Sequence, residues 1–328
     1  MDDETRRAPG EQMRRRIGSA AAKMVFEGLS RMGRLHPRAD PAAHGVTVIK
    51  DVAYRPGGDR AHRLDIYQPP GPGPWPVVLY VHGGAFRILS KETHWVMALA
   101  FARRGYLVLN AEYRLAPTHP FPAGLRDVCD AWRFAVTESA RFGGDPGRGV
   151  VLAGESAGAN LVTSLALACC YPRPEDFAQE VFALGAVPAA VVPACGLFQV
   201  SDPERFGRRR PLPRWLLDRI EETRDAYLGP SQHTGHDLAD PVSTLERGEV
   251  PARPLPPFFL PVGTADPILD DTRRMHAALT ALGVASTVKF YPGEPHAFHA
   301  LVFRPAARQC WADTFAFLDQ HMPPRPGG

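Results

Sequence analysis

The sequence predicts an α/β protein in which a mostly parallel sheet is covered by helices on both faces. Short apolar runs alternate with helix-like patterns through most of the chain, and these runs are apolar at consecutive positions. Strands that are apolar on both sides are typical of a parallel sheet buried between two layers of helices. A chain of 328 residues with 45% hydrophobic content is long enough to form such a core.

The first two predicted strands form an antiparallel hairpin at one edge of the sheet. Residues 46–54 and 62–67 are strand-like and flank the turn sequence PGGD at residues 56–59. The alternating part of the chain follows this hairpin.

Strands and helices then alternate up to residue 170. Leu125, Val128, Trp132 and Val136 recur every three or four residues and predict a helix that ends at the glycine pair 143–144. The other predicted elements here are strands over 77–81, 106–110 and 150–153 and helices over 93–104 and 157–170.

The second half contains one stretch that is long enough to span a membrane. Residues 181–200 carry no charge, but Pro188 and Pro193 interrupt them, so residues 190–195 are predicted to form a buried strand instead. The remaining predicted elements are strands over 258–262 and 286–291, a helix over 271–282, and a closing helix that carries Trp311, Phe315 and Leu318.

Two segments do not fit the alternation and are predicted to be a helical cap. Residues 10–35 have apolar side chains at near-helical spacing, and residues 197–245 contain one amphipathic helix over 215–228. The predicted division assigns 46–196 and 246–328 to the α/β domain and 1–45 and 197–245 to the cap. Ordinary surface helices are the alternative for both segments.

Composition excludes several functional classes. The formal net charge of +3 is too small for a dedicated nucleic-acid-binding protein. The N-terminus has no apolar segment typical of a secretory signal, and the five cysteines have no C-x-x-C spacing, which predicts buried, reduced thiols. We therefore expect a cytoplasmic protein without stable membrane insertion and without a nucleic-acid partner.

The sequence VVLAGESAGAN at residues 150–160 carries the strongest chemical signal. A serine nucleophile must project from a tight strand-to-helix turn, and that turn requires very small residues two positions before and after it. Gly154 and Gly158 meet this requirement around Ser156, with an apolar strand before the motif and an uncharged helix after it. Ser156 is therefore the predicted nucleophile.

The sequence YVHGGAF at residues 80–86 predicts an oxyanion hole. Its glycines allow backbone N–H groups to turn toward a substrate carbonyl, where acyl transfer develops negative charge. The N–H of Ala157, directly after the nucleophile, is the expected matching donor. A plain tight turn is the alternative reading of Gly83 and Gly84, and His82 is expected to be structural.

The acid and the histidine should follow the serine in chain order. Asp266 comes directly after the strand at 258–262, and His296 comes after the strand at 286–291, so both are expected at the same sheet edge. Asp270 and Asp271 are competing acids that are expected to cap the next helix. His299 is the competing histidine and is expected near a helix start.

These motifs together resemble the hormone-sensitive-lipase-like α/β-hydrolases, a large group of bacterial carboxylesterases. The resemblance covers roughly residues 46 to 320 and rests on HGGAF, YRLAP (113–117), GESAG, DPILDD (266–271) and HAF (296–298). It implies an α/β-hydrolase fold with a helical cap. It also implies catalytic roles for Ser156, Asp266 and His296 and oxyanion donors at Gly84, Ala85 and Ala157, with Gly83 shaping that loop.

The chain departs from the family pattern at three positions. Ala85 stands where the family commonly has a third glycine, Ala159 replaces a frequent glycine, and HAF replaces the common HGF. None of these changes removes a reacting group, so they bear on substrate range. The added methyl of Ala85 should narrow the space beside the acyl group.

The sequence thus predicts a serine carboxylesterase for short- to medium-chain acyl esters that works through an acyl-enzyme. No metal or organic cofactor is implied, the partner is a small-molecule ester, and a homodimer is left open. Amide or formamide hydrolysis on the same triad is the alternative enzyme. A non-catalytic binding protein of the same fold is the alternative outside enzymes, and the presence of His296 argues against it.

Overall fold

The central feature of the fold is one eight-stranded sheet. The computed structural model describes Gly18, Met24 and residues 27–209, 211–229 and 236–322. The strands are β1 (Thr47–Ala53), β2 (Arg63–Gln68), β3 (Val77–Val81), β4 (Leu107–Ala111), β5 (Val150–Glu155), β6 (Ala190–Ala194), β7 (Phe258–Gly263) and β8 (Ser286–Tyr291). Their order across the sheet is β1-β2-β4-β3-β5-β6-β7-β8.

The pairing of these strands confirms the predicted mostly parallel sheet. β1 pairs antiparallel with β2, and β2 pairs antiparallel with β4, so the predicted hairpin lies at one edge. The pairs from β3 and β4 through to β8 are all parallel. Parallel neighbours require crossover connections, and the helices provide them.

The helices that connect and cover the strands include every one that the sequence predicted in the described part of the chain. They are α1 (residues 27–34), α2 (Trp95–Arg103), α3 (Ala123–Thr137), α4 (Ala157–Cys170), α5 (Asp176–Ala183), α6 (Arg205–Arg209), α7 (Arg214–Leu228), α8 (Pro241–Glu246), α9 (Leu269–Ala281) and α10 (Pro305–His321). The sequence pattern did not predict α5, α6 and α8, because helices of five to eight residues show too little periodicity.

The two faces of the sheet pack into two separate apolar clusters. Val77, Leu79 and Val81 of β3 contribute to the cluster that contains α3, α4 and α9. Val78 and Tyr80 of the same strand contribute to the cluster that contains α2 and α10. Alternate residues of one strand therefore enter opposite cores, which explains the continuous apolar runs in the sequence.

The second half of the uncharged stretch at residues 181–200 lies in the protein core, whereas Ala183 and Gly185 in its first half are exposed. The stretch contains the end of α5, strand β6 and the turns beside them. Within the described ranges, the helices are too short or too polar to cross a bilayer. All five cysteines are buried and free of disulfides, as the sequence predicted.

Candidate active site

Ser156 lies on a sharp turn between β5 and α4. Its backbone adopts φ 53° and ψ −115°, a conformation that L-residues rarely occupy. A Cβ on Gly158 would lie 2.1 Å from the carbonyl oxygen of Val81, and a Cβ on Gly154 would lie 2.7 Å from the backbone of Gly158. The two glycines are therefore required by the close approach of β3 and α4, and the turn presents the serine side chain outside the strand.

The loop after β3 turns through left-handed backbone conformations beside Ser156. Gly84 has φ 115°, and a Cβ there would lie 2.0 Å from the carbonyl oxygen of Ile88. Ala85 follows with φ 53°. In the described part of the chain, no residue accepts a hydrogen bond from the N–H groups of Gly84 and Ala85. The N–H of Ala157 opens α4 and has no partner within the helix.

Asp266 and His296 form a hydrogen-bonded pair at the same sheet edge. His296 Nδ1 lies 2.8 Å from Asp266 Oδ2, and because a carboxylate only accepts, Nδ1 carries the proton. The other oxygen, Oδ1, accepts from the backbone N–H of Ile268 at 2.9 Å. Asp266 is 1% exposed, whereas the side chain of His296 is 30% exposed. The carboxylate is thus fixed, and the imidazole reaches solvent.

The carboxylate of Asp266 decides the protonation of the imidazole. Burial lowers the pKa of His296, but the charge and hydrogen bond of Asp266, together with the neighbouring Cys195, more than reverse this, so the pKa is raised well above its usual range. The ring is therefore poised to take up a proton and to hold it as an imidazolium.

Backbone contacts bring Ser156 and His296 to the same place. The N–H of Ser156 donates to the carbonyl of Ala194 at 3.0 Å, and the next residue, Cys195, packs beside His296. Among the described residues, no hydrogen bond joins Ser156 Oγ to the His296 ring. Such contacts are often long without substrate and shorten when it binds.

His82 and His299, the other histidines of the two motifs, are both buried in the protein. His82 Nε2 lies 2.8 Å from Glu112 Oε1, and the ring stacks on Tyr113 with centroids 4.3 Å apart. His299 lies within a 3₁₀ helix, Phe298–Ala300, and its Nε2 is 2.9 Å from Glu155 Oε2. Neither ring contacts Asp266, so the structure pairs only His296 with that acid among the described histidines.

The expectation that Asp270 and Asp271 cap a helix was wrong. α9 begins at Leu269 and its N-cap is Ile268, so both acids lie in the first turn. Asp271 is buried and accepts hydrogen bonds from the N–H groups of Phe198 and Gln199 and from Arg205. It therefore fixes the start of the segment at 197–245 instead of capping α9.

Glu155 connects three loops of the site, and this role is not evident from the sequence. Its Oε1 accepts from His94 Nε2 at 2.8 Å, and its Oε2 is 2.9 Å from His299 Nε2. His94 Nε2 is also 3.3 Å from the amide nitrogen of Gly83, on the loop that carries the predicted oxyanion donors. Burial raises the pKa of Glu155, but the two histidines lower it far below its usual range, so the side chain is a buried carboxylate.

The helix α7 packs directly on the loop that carries the predicted oxyanion donors. Tyr227 stacks on Phe86, with ring centroids 3.7 Å apart and an interplanar angle of 13°. Glu222 forms an ion pair with Arg87 at 2.7 Å. Trp215, at the other end of the helix, is 61% exposed. α7 therefore holds this loop through its C-terminal half.

Buried polar side chains hold both ends of the segment at 197–245. Asn160 Nδ2 donates to the carbonyl of Leu197 at 2.8 Å and to the carbonyl of Ala239 at 2.9 Å. Asp240 Oδ1 accepts from the N–H of Val200 and from that of Ser201. The segment is thus fixed at its base by α4 and by its own returning chain.

The N-terminal helix α1 lies against the start of α2. Trp95 Nε1 donates to Ser30 Oγ at 3.2 Å, and Ser30 Oγ donates to the carbonyl of Thr93. Met24 is 69% exposed and Leu29 is 48% exposed, so these two side chains are not buried over the site. Most of residues 1–26, including Phe26, lies outside the described residues.

The chain is similar in sequence to a known family and to characterised proteins. A family model for the alpha/beta hydrolase fold matches residues 78–300. The chain is 34% identical over 253 residues to carboxylesterase NlhH of Mycobacterium tuberculosis, covering 75% of this chain and 74% of that protein. It is 26% identical over 292 residues to versiconal hemiacetal acetate esterase of Dothistroma septosporum, covering 84% and 80%.

Solved structures show the same fold. A bacterial heroin esterase superposes with a TM-score of 0.74 at 22% identity, covering 93% of this chain and 92% of that one. An esterase from the bacterial hormone-sensitive lipase family superposes with a TM-score of 0.70 at 24% identity, covering 96% and 99%.

Proposed function

Since this chain belongs to the alpha/beta hydrolase family and is a carboxylic ester hydrolase, we propose that it cleaves short- to medium-chain acyl esters through Ser156, His296 and Asp266. The observation that carries the proposal is the Asp266–His296 pair, at 2.8 Å, beside the strained turn of Ser156. A base oriented by a buried carboxylate is what a serine hydroxyl needs to become a nucleophile.

The reaction begins when His296 Nε2 takes the proton of the Ser156 hydroxyl. Ser156 Oγ then bonds to the ester carbonyl carbon, and the carbonyl π electrons move onto oxygen. The imidazolium keeps its Nδ1–H directed at Asp266, whose charge stabilises it. When the tetrahedral intermediate collapses, His296 protonates the leaving alcohol and an acyl-serine remains.

Water completes the cycle through the same groups. His296 removes a proton from water as the oxygen attacks the acyl-serine, and the proton then returns to Ser156 Oγ as the acid leaves. In both tetrahedral intermediates the oxyanion accepts hydrogen bonds from the N–H groups of Gly84, Ala85 and Ala157. The N-terminus of α4 adds a favourable partial positive charge there.

The acyl-length range follows from a proposed helical cap. We assign 46–196 and 246–328 to the catalytic domain and 1–45 and 197–245 to the cap. The contacts of Tyr227 with Phe86 and of Glu222 with Arg87 support this division for the second segment. A cap over the acyl pocket limits chain length, and the methyl of Ala85 narrows the pocket near the reacting carbonyl.

The test replaces the proposed nucleophile. Ser156→Ala should lower kcat/KM for a short aryl ester by about 10⁴-fold or more, because the oxyanion hole alone cannot replace covalent chemistry. The side chain is small enough for the turn, so the circular dichroism spectrum and the Tm should stay close to wild type. Turnover within about tenfold of wild type would exclude Ser156 as the nucleophile.

Two paired variants test the acid, and a second substrate tests the reaction class. Asp266→Asn should lower kcat/KM by about 10⁴-fold, because the imidazole loses its orientation and its counter-charge. Asp270→Asn, in the first turn of α9 and paired with Arg273, should keep kcat/KM within about threefold of wild type. Anilides matched to the aryl esters separate ester from amide hydrolysis, and hydrolysis of anilides at comparable rates would change the substrate class.

A further inference from the structure

Cys195 lies beside the Asp266–His296 pair at the end of β6. Ligand atoms of these three residues all lie within 4.8 Å of one another. Cys195 is 1% exposed, has a left-handed backbone with φ 41°, and donates its N–H to the carbonyl of Pro261 on β7. The thiol is thus held in place by two neighbouring strands, and the ester-cleaving reaction described above makes no use of it.

The three side chains offer sulfur, nitrogen and oxygen donors. Zn²⁺ and related thiophilic cations bind such mixed sets, whereas Mg²⁺ and Ca²⁺ require six or more oxygen ligands. Bonds of about 2.0–2.3 Å to a tetrahedral Zn²⁺ place ligand atoms about 3.3–3.8 Å apart. Side-chain adjustments of about 1 Å would bring the present atoms to these separations. The exposed part of His296 gives a cation access from solvent.

We propose that Cys195, Asp266 and His296 form an inhibitory binding site for a thiophilic divalent cation such as Zn²⁺. The three protein ligands leave a fourth position for water. Binding replaces the thiol proton of Cys195 and, where the ring is an imidazolium, one ring proton of His296. These protons are released to solvent, and a metal–thiolate bond forms without any redox change. His296 therefore cannot act as the base paired with Asp266 while the cation is bound.

The inhibition follows from the two nitrogens of imidazole and rests on the proposed role of His296 as base. A neutral ring has one lone pair and one N–H. If the cation takes Nδ1, the proton occupies Nε2, and the ring cannot accept the proton of Ser156. If the cation takes Nε2, it occupies the same lone pair directly. Either mode blocks nucleophile activation.

The first experiment measures inhibition of the full chain by Zn²⁺ alone. Zn²⁺ should inhibit ester hydrolysis, EDTA should restore it, and equal concentrations of Mg²⁺ should have no effect. Cys195→Ala should raise the half-inhibitory Zn²⁺ concentration by more than about tenfold, the loss that removal of a residue supporting a metal ligand already causes. Each variant is compared with its own uninhibited rate.

Cys129→Ala is the matched control, since Cys129 is an equally buried thiol on α3, outside this cluster. It should retain the wild-type sensitivity to Zn²⁺. If Cys195→Ala is inhibited at the same Zn²⁺ concentration as wild type, the proposal is wrong and other ligands hold the cation.

The second experiment does not depend on activity. Titration with Cd²⁺ should produce the ultraviolet charge-transfer band of a cadmium–thiolate bond, with one Cd²⁺ per chain, in wild type and in the inactive Ser156→Ala. The band should be absent from Cys195→Ala, and a band that persists there would overturn the site. A band in wild type without inhibition would retain the metal site and refute its inhibitory effect, whereas the role of His296 as base is tested separately by the loss of activity in Asp266→Asn.

Discussion

One ring, His296, sets the pH range in which the proposed reaction runs. The base must be neutral to accept the serine proton, and the neighbouring carboxylate raises the pKa of His296 well above the usual 6.5. Activity therefore requires a higher pH than an ordinary histidine would. The raised pKa lowers activity at neutral pH, because less of the ring is neutral. It also stabilises the imidazolium that forms during the reaction.

We expect the ascending limb of the kcat/KM–pH profile to have an apparent pKa above 6.5. Asp266→Asn should move this limb to lower pH as well as lowering the maximum, because the counter-charge is gone. Folding stability has the opposite dependence. The pair stabilises the fold fully below the unfolded pKa, and this contribution is lost as the pH rises through the folded pKa. If the ascending limb of the kcat/KM–pH profile stays at the same pH in Asp266→Asn, Asp266 is not the group that raises the pKa of the base.

Ala85 is one of several residues other than glycine, with Ser156 and Cys195 among them, whose backbone is left-handed and therefore strained. A left-handed conformation costs an alanine about 1–2 kcal/mol, and this one lies in the oxyanion loop at φ 53°. Ala85→Gly should raise the free energy of unfolding by up to about 1 kcal/mol and widen the acyl pocket. Urea denaturation and a panel of branched acyl esters measure the two effects. A less stable variant would show that the surrounding loop, not the methyl, determines the conformation.

At the scale of elements, Glu155 links loops that follow three different strands. The oxyanion loop follows β3, the elbow follows β5, and the histidine loop follows β8. His94 and His299 contact the two oxygens of this one buried carboxylate. A single side chain therefore fixes the relative position of groups that must act on the same substrate carbonyl.

Glu155→Gln should lower kcat about 10- to 100-fold while KM changes less than about threefold, because misplacement affects the transition state more than substrate binding. Glu155→Asp should not restore the rate, since its shorter side chain cannot reach both histidines. Steady-state kinetics and the Tm of both variants measure this. A loss of Tm with unchanged kcat in the folded fraction would mean that Glu155 contributes to stability alone.

The sequence could predict features that depend on local sterics and not those created by folding. Residues close together in the chain predict the elbow at Ser156 and the hairpin. They also predict that Asp266 and His296 each follow directly after a strand. Glu155 has its partners 61 and 144 residues away, as the numbering shows. Cys195 has no sequence signal beyond its place after an apolar run. The short helices α5, α6 and α8 were missed for a similar reason, since they are stabilised by tertiary packing.

At the scale of the whole molecule, the segment at 197–245 meets the α/β core at the loop that carries the proposed oxyanion donors. The proposed cap predicts a limit on acyl length. Each buried CH₂ favours binding by about 0.8 kcal/mol until the pocket is full. Longer chains must then displace the cap, so kcat/KM should peak at about four to eight acyl carbons and fall steeply beyond.

A series of aryl esters from two to sixteen acyl carbons measures this profile. Removal of residues 1–40 should flatten it and expose apolar surface that promotes aggregation. Tyr227→Ala, which removes the ring stacked on Phe86, should also flatten it. Trp215→Ala is the matched control on the exposed end of α7 and should change the profile little. Activity that keeps rising through sixteen carbons would refute the cap.

The stack of Tyr227 on Phe86 joins the proposed cap to the loop that carries the proposed oxyanion donors. Phe86 lies two residues after Gly84 and next to Ala85, so a displacement of α7 that separates the rings also shifts the proposed donors. If α7 belongs to the proposed cap, we expect the stabilisation of the oxyanion to weaken whenever α7 moves away from this loop. Variants selected for faster release of bulky products should therefore show slower acylation. Evolution of a broader substrate range in this protein must therefore alter both sides of this aromatic pair together.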